Sequence, residues 1–310
     1  MRTAFFRKLL DLAAQDERIN LVVGDLGFGL VEPFVERFPQ QFLNAGVAEQ
    51  NMTGVAAGMA LSGKVVFTYS IANFPVLRCL EQIRNDVCYH RANVKVVSVG
   101  GGLCYGSLGM THHSTEDIAV MRSLPEMTVV APGDPLEAEL ATAAVAEMEG
   151  PAYLRLGRAG EPTVHQEQPD FQLGRAILVR QGYDWTLIAT GGMLQTAVKV
   201  AGRLADENVE VRVLSMHTLK PIDRDAVVEA AEQTRGIVTL EEHSVIGGLG
   251  SAVAEVLAEA DGVSVPFKRI GLPSVFCSDV GTQDYLRQIH GLSEEEIVKT
   301  LRPMLKSTLG

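Results

Sequence analysis

Short β-branched runs alternate with longer stretches of helical period, and this constrains the chain more than any other feature. In the first half the runs are "INLVVGD", "GKVVFTYS", "NVKVVSVGG", "MTVVAPGD" and "PAYLRLG". Successive rather than alternate positions are apolar, the pattern of strands covered on both faces. Segments 47–61, 76–91 and 134–148 lie between them with helical spacing. Such alternation needs crossovers, and right-handed crossovers build a parallel sheet clothed in helices. Around 160–172 the pattern breaks: "GEPTVHQEQPDFQLG" is polar, holds two prolines and reads as a linker. A second series follows in "WTLIATGG", "VEVRVLSMH", "GIVTLEEH" and "VPFKRIGLP". The expectation is an α/β protein of two domains, 1–165 and 173–310, each a mostly parallel sheet flanked by helices. No solenoid period is visible.

Bulk properties remove several function classes. A chain of 310 residues can fill two cores, and a net charge of −11 opposes broad nucleic-acid binding. No apolar run reaches membrane-spanning length. The opening "MRTAFFRKLLDLAAQDERIN" is an amphipathic helix carrying acids, unlike a secretory signal, so the cytoplasm is the expected location. Cys79, Cys88, Cys104 and Cys277 show no CxxC spacing, and no histidine cluster completes a metal site. Free thiols in a reducing compartment are the simpler reading. "GDLGFG" at 24–29 reads as a strand-end turn rather than a phosphate loop. "GGLG" at 247–250 precedes a helix, where it either binds an anion or lets the helix pack closely.

The stretch "NAGVAEQNMTGVAAGMALSG", from position 44, holds one carboxylate, Glu49, among small and apolar residues. Residue type alone leaves two readings open. A first-turn acid complements the helix dipole, and an acid shielded from water can also serve chemistry.

Two further segments decide between them: "YSIANFPVLRCLEQIRNDV" and "GSLGMTHHSTEDIAVMRSLPEMTVVAPGD". The three, in this order, resemble the pyrimidine-binding domain of the transketolase family of thiamine-diphosphate enzymes. "LKPID" and "VTLEEHSVIGGLGSAVAEVL" resemble that family's C-terminal domain, so the resemblance covers nearly the whole chain. It implies that Glu49 hydrogen-bonds the cofactor's aminopyrimidine and favours the imino tautomer needed to deprotonate the thiazolium ring. A carboxyl group shielded from water suits that task, because water competes for both partners. The resemblance also implies that Gly54, Ala56, Ala57, Gly58 and Ala60 admit a helix from another subunit. It places Ile71 and Phe74 in the wall behind the pyrimidine, with Phe74 stacking, and Asp25 near the cofactor. His112 would face the substrate and shuttle protons, with His113 a second candidate. Arg2 and Arg158 match arginines that grip a substrate phosphate through their forked donors.

Three positions depart from the sugar-phosphate pattern. Gly29 stands for a phosphate-binding serine, a glycine near Gly100 for a histidine, and Leu108 for an aspartate that reads a hydroxyl. Losing polar readers changes discrimination, so an atypical donor is expected: a modified or nucleotide-linked sugar, or a 2-oxo acid. The family's Gly-Asp-Gly motif, which holds Mg²⁺ on the cofactor diphosphate, has no counterpart here. The resemblance therefore implies a C-terminal subunit paired with an N-terminal diphosphate-binding subunit in a heterotetramer. Its activity would be transfer of a two-carbon ketol unit from a ketose to an aldehyde. The alternatives are the beta subunit of a 2-oxo-acid dehydrogenase, a deoxyxylulose-phosphate synthase-like enzyme, and a non-catalytic regulatory paralogue.

Overall fold

The computed structural model describes residues 1–309. Strands β1 (Ile19–Val23), β2 (Phe42–Asn44), β3 (Val65–Ile71), β4 (Val94–Val99), β5 (Thr128–Val130) and β6 (Ala152–Leu156) come from the first half. The second half supplies β7 (Ile177–Arg180), β8 (Trp185–Ala189), β9 (Val211–Ser215), β10 (Thr218–Lys220), β11 (Ile237–Ser244) and β12 (Phe267–Leu272). The first sheet has the order β10-β5-β6-β4-β3-β1-β2 and the second β12-β11-β8-β9-β7. Each is parallel apart from one antiparallel edge, β10 on β5 and β7 on β9. This is the α/β arrangement that the alternation implies. The sheet boundary does not follow the chain, however, because β10 leaves the second half to complete the first sheet.

Helices α1 (Arg2–Ala13), α2 (Glu32–Arg37), α3 (Glu49–Leu61), α4 (Leu80–Gln82), α5 (Asp117–Ser123) and α6 (Pro135–Glu147) serve the first sheet. The second has α7 (Met193–Ala205), α8 (Arg224–Gln233), α9 (Leu249–Glu259), α10 (Gln283–Ile289) and α11 (Glu294–Leu309). Asp134 caps α6 by accepting from the Glu137 N–H at 2.7 Å, with Pro135 at the first position, a pairing the sequence advertises. The helix expected over 76–91 is broken. Turns run from Ala72 to Cys79, α4 is three residues long, and Ile83–Cys88 continues as a wider π-helical segment.

One face of the first sheet packs on α1 and α6 through Phe5, Phe6, Leu9, Phe67, Tyr69 and Ala138. Each fully buried phenylalanine contributes roughly 2–3 kcal/mol. The opposite face packs on α3 and the π segment. That core continues without a break through α5, α8 and α9 to the second sheet, joining Met52 and Val96 to Ile188 and Val253. The second sheet's far face is covered by α7 and α11.

The segment around 160–172 has no helix or strand, yet it is tied down. Val164 and His165 N–H groups donate to Asp134 Oδ2, and the His165 ring lies 2.7 Å from Glu137 Oε1. Phe171 stacks on His217 at 4.0 Å. At "GGLG" the N-terminus of α9 does bind an anion, but it is the chain's own. Glu241 accepts from the Leu249 and Gly250 N–H groups at 2.7 and 2.8 Å. Cys79, Cys88, Cys104 and Cys277 are all free, the first three buried. Among the described residues no helix is long and apolar enough to cross a membrane.

Candidate functional site at the carboxyl edge of the first sheet

The carboxyl ends of β1, β2, β3 and β4 open on one edge, where parallel sheets bind ligands. Gly24 and Asp25 follow β1, and Asn44 ends β2. The Asn44 side chain donates to Asp25 Oδ1 at 2.9 Å and accepts from the Gly46 N–H at 2.9 Å. This ties the two loops together just before Glu49 opens α3. Asp25 adopts a left-handed backbone, φ 54°, and is exposed.

Glu49 is 1% exposed and does not cap its own helix. Its Oε1 accepts from the Ser70 hydroxyl at 3.2 Å, and its Oε2 accepts from Arg78 Nη1 at 2.6 Å. A Cβ on Gly24 would lie 3.3 Å from Ser70 Oγ and 3.4 Å from Glu49 Cγ, so glycine there lets the carboxylate sit against the strand end. Sequence reasoning expected an apolar surround; the acid instead has a cationic partner. Arg78 was missed, although it stands in the quoted "FPVLR" four positions after Phe74.

Phe74 is half-buried in the turn after β3, its N–H donating to the Ile71 carbonyl at 2.8 Å. One ring neighbour is the Arg78 guanidinium, 4.8 Å from its centroid. Another is the His112 ring, edge-on at 5.2 Å and 70°. Ile71, the last residue of β3, is half-buried and packs in part against the core that holds Phe5 and Tyr69. His112 is half-buried, with Nδ1 3.0 Å from Thr111 Oγ1. His113, expected to share the substrate face, turns inward. It is buried, its carbonyl accepts from the Asn73 side chain, and burial pushes its pKa below the usual value. Its Nε2 has no hydrogen-bond partner.

Arg2 and Arg158 are brought together where α1 meets the end of β6, the Arg2 N–H donating to the Arg158 carbonyl at 3.2 Å. Arg158 is exposed, while Arg2 Nε is buried with no hydrogen-bond partner. The departures also have structural contexts. Gly29 has φ +79° and donates to Glu32 Oε1 at 2.9 Å, with open space where a side chain would stand. Gly100 has φ +89°, and a Cβ there would collide with the Tyr105 ring, so Tyr105 fills that space. Leu108 is 54% exposed.

The small residues of α3 divide between two faces. Ala56 and Ala57 are buried in the chain's own core, which corrects their assignment to an intersubunit contact. Gly54 and Gly58 point outward, and a Cβ on either would meet nothing within 4 Å. Leu43, Val47 and Leu61 are exposed apolar residues on β2, in the loop before α3 and at its end.

A cavity of about 400 Å³ lies between the two halves, lined in part by Arg155, Arg158, Glu242 and Arg287. Glu49, Phe74 and His112 do not line it. Arg155, Glu242 and Arg287 are paired within the protein. Arg155 donates to Asp117 at 2.7 Å, and Glu242 takes the Leu103 N–H at 2.6 Å together with Gln283 and Arg287. Arg158 is the one candidate site residue on its wall; the others stand on the open edge. Among the described residues no three His, Cys, Asp or Glu side chains converge to hold a metal ion.

Comparison with known proteins adds to this geometry. The family model for the transketolase pyrimidine binding domain matches residues 1–161, and that for the transketolase C-terminal domain matches 174–297. The chain is 40% identical over 300 residues to a subunit of 6-deoxy-6-sulfo-D-fructose transketolase from Clostridium sp. (strain MSTE9), covering 96% of this chain and 92% of that one. It is 39% identical over 307 residues to one of the subunits of apulose-4-phosphate transketolase from Phocaeicola vulgatus, covering 98% and 97%. A solved split gene transketolase, described as an inactive beta4 tetramer, is 38% identical with a TM-score of 0.88, covering 99% and 98%.

Proposed function

This chain belongs to the transketolase family, and we propose that it is the C-terminal subunit of a two-component enzyme moving two-carbon ketol units between sugars. The observation that carries this reading is a buried carboxylate, Glu49, beside the half-buried face of Phe74 at the carboxyl edge of a parallel sheet. A flat ring with nitrogen at its edge fits such a pair, and the aminopyrimidine of thiamine diphosphate is one. When bound, thiamine diphosphate supplies the carbon nucleophile for breaking and forming the ketol carbon–carbon bond.

The roles proposed for this chain's residues follow from their positions. Glu49 holds a proton at the ring nitrogen, and Ser70 fixes its Oε1 at 3.2 Å so that Oε2 faces the ring. Phe74 stacks on the ring, worth about 0.5–1.5 kcal/mol beyond burial. His112, edge-on to Phe74, moves protons at the substrate oxygens. Asp25 and Ile71 line the same edge, whereas the buried His113 supports it from behind.

Arg2 and Arg158 suit an anionic end of the substrate. The names of the two relatives specify sugars with such an end, a sulfonate in one and a phosphate in the other. An unusual sugar also accords with Gly29 and Leu108 at positions that would otherwise carry polar readers. We assign Mg²⁺ and the diphosphate to an N-terminal partner subunit in a cytoplasmic heterotetramer. The outward Gly54–Gly58 face, flanked by Leu61, supports close packing against a second subunit.

Calorimetric titration of thiamine diphosphate with Mg²⁺ tests the reading, first on this chain alone and then with a partner carrying the Gly-Asp-Gly motif. Binding only in the pair is expected. Tight binding by this chain alone would overturn the division of the site between subunits.

A further inference from the structure

Arg78 makes both contacts that an entering ring would need. Its Nη1 donates to Glu49 Oε2 at 2.6 Å, and its guanidinium carbon lies 4.8 Å from the Phe74 centroid. A guanidinium is planar, stacks on aromatic faces and presents N–H donors in its own plane. An aminopyrimidine meeting a carboxylate over a phenylalanine has the same requirements. Resting on the reading of Glu49 and Phe74 as the cofactor seat, we propose that Arg78 is a built-in competitor. It fills that seat in the empty protein and swings out when the ring enters.

The two oxygens of Glu49 have different partners. Oε1 is engaged by the Ser70 hydroxyl at 3.2 Å, which orients the buried carboxylate. A ring approaching along the Phe74 face must take Oε2, the oxygen that Arg78 holds. The two partners also differ in their freedom to leave. The Glu49 side chain is 1% exposed and the Arg78 side chain 45% exposed. An unpaired buried carboxylate is costly, whereas a guanidinium at the surface exchanges its contact for water. Arg78 sits among the turns before α4, with no second ion pair among the described residues to anchor it. The arrangement keeps the acid paired while the site waits, and lowers apparent affinity by the fraction of sites that are occupied.

The test is calorimetric titration of thiamine diphosphate with Mg²⁺ into the assembled complex, for wild type, Arg78→Ala, Arg78→Lys and Glu49→Gln. Arg78→Ala should bind roughly tenfold tighter than wild type, as expected when a competing state is removed. Arg78→Lys should fall between, since an ammonium keeps the charge but cannot stack as a plane. Added salt should narrow the gap between wild type and Arg78→Ala, because a half-exposed ion pair is screened. Equal or weaker binding by Arg78→Ala overturns the proposal and makes Arg78 a support for the seat. Unchanged affinity in Glu49→Gln would show that the seat itself is misassigned, and the proposal falls with it. A lower melting temperature for Arg78→Ala in the empty complex alone, with no difference once loaded, is the further expected signature. Equal loss in both states would mark a merely structural residue.

Discussion

Glu49 and Asp117 are both the first residue of a helix, both acids, and both buried. Their partners separate them. Asp117 accepts from the Tyr153 hydroxyl at 2.5 Å and from Arg155 Nε at 2.7 Å, and Arg155 is itself buried. Burial works to raise the Asp117 pKa, but the Arg155 and His243 charges and the hydrogen bonds from Arg155 and Tyr153 together outweigh it and hold the carboxyl below its usual range. Arg155 also donates to the carbonyls of Ser114 and Glu242, stitching the two sheets together. Glu49 instead pairs with an arginine whose side chain is 45% exposed. A buried acid with a buried partner serves packing; a buried acid whose partner reaches solvent is the one we propose as a site.

That contrast can be broken most sharply at Glu49. Glu49→Gln should lower turnover of the assembled enzyme by on the order of 10³–10⁴-fold, with little change in melting temperature. Steady-state kinetics beside thermal denaturation check it, and a comparable loss of stability would erase the distinction. The next largest effect is expected at the other acid. Arg155→Ala strands Asp117 without its countercharge and should cost about 3–5 kcal/mol in urea denaturation. If Asp117→Asn combined with Arg155→Met recovers most of that loss, the pair is shown to serve packing rather than chemistry.

The smallest effect concerns the tied linker. Burial lowers the His165 pKa, but the hydrogen bond to Glu137 and the Glu137 and Asp134 charges together outweigh it and the net shift is upward. A raised folded pKa gives stability that is full below the ordinary histidine value of about 6.5 and is lost as pH rises through the folded value. Melting temperature should therefore decline across that window, and His165→Gln should flatten the decline. An unaltered profile would show that the segment is held by its backbone bonds to Asp134 alone.

Much of the fold was legible because parallel strands buried on both faces need continuous apolar runs, which β1, β3, β4, β6, β8 and β9 display. The missed strands lack that signal for identifiable reasons. β2 is three residues long with exposed or half-buried side chains, and β7 is an antiparallel edge. β10, within "HTLKPID", carries nothing local to say that it joins the other half's sheet. At the site, order along the chain pointed to Glu49, Phe74 and His112, which the fold links through Arg78 and an edge-on ring contact. Arg78 escaped because a surface arginine in a turn looks like any other until the turn folds it back over Phe74.

The alternating elements, the glycine-lined approach to Glu49 and the resemblance to one enzyme family were carried by local residue types and their order. Only the folded chain set which face of α3 is core and which is free, that His113 turns inward, and which buried acid is paired with a partly exposed arginine. Such facts depend on packing between segments far apart in the chain. Burial and charge pairing are set by those neighbours, and no local pattern encodes them.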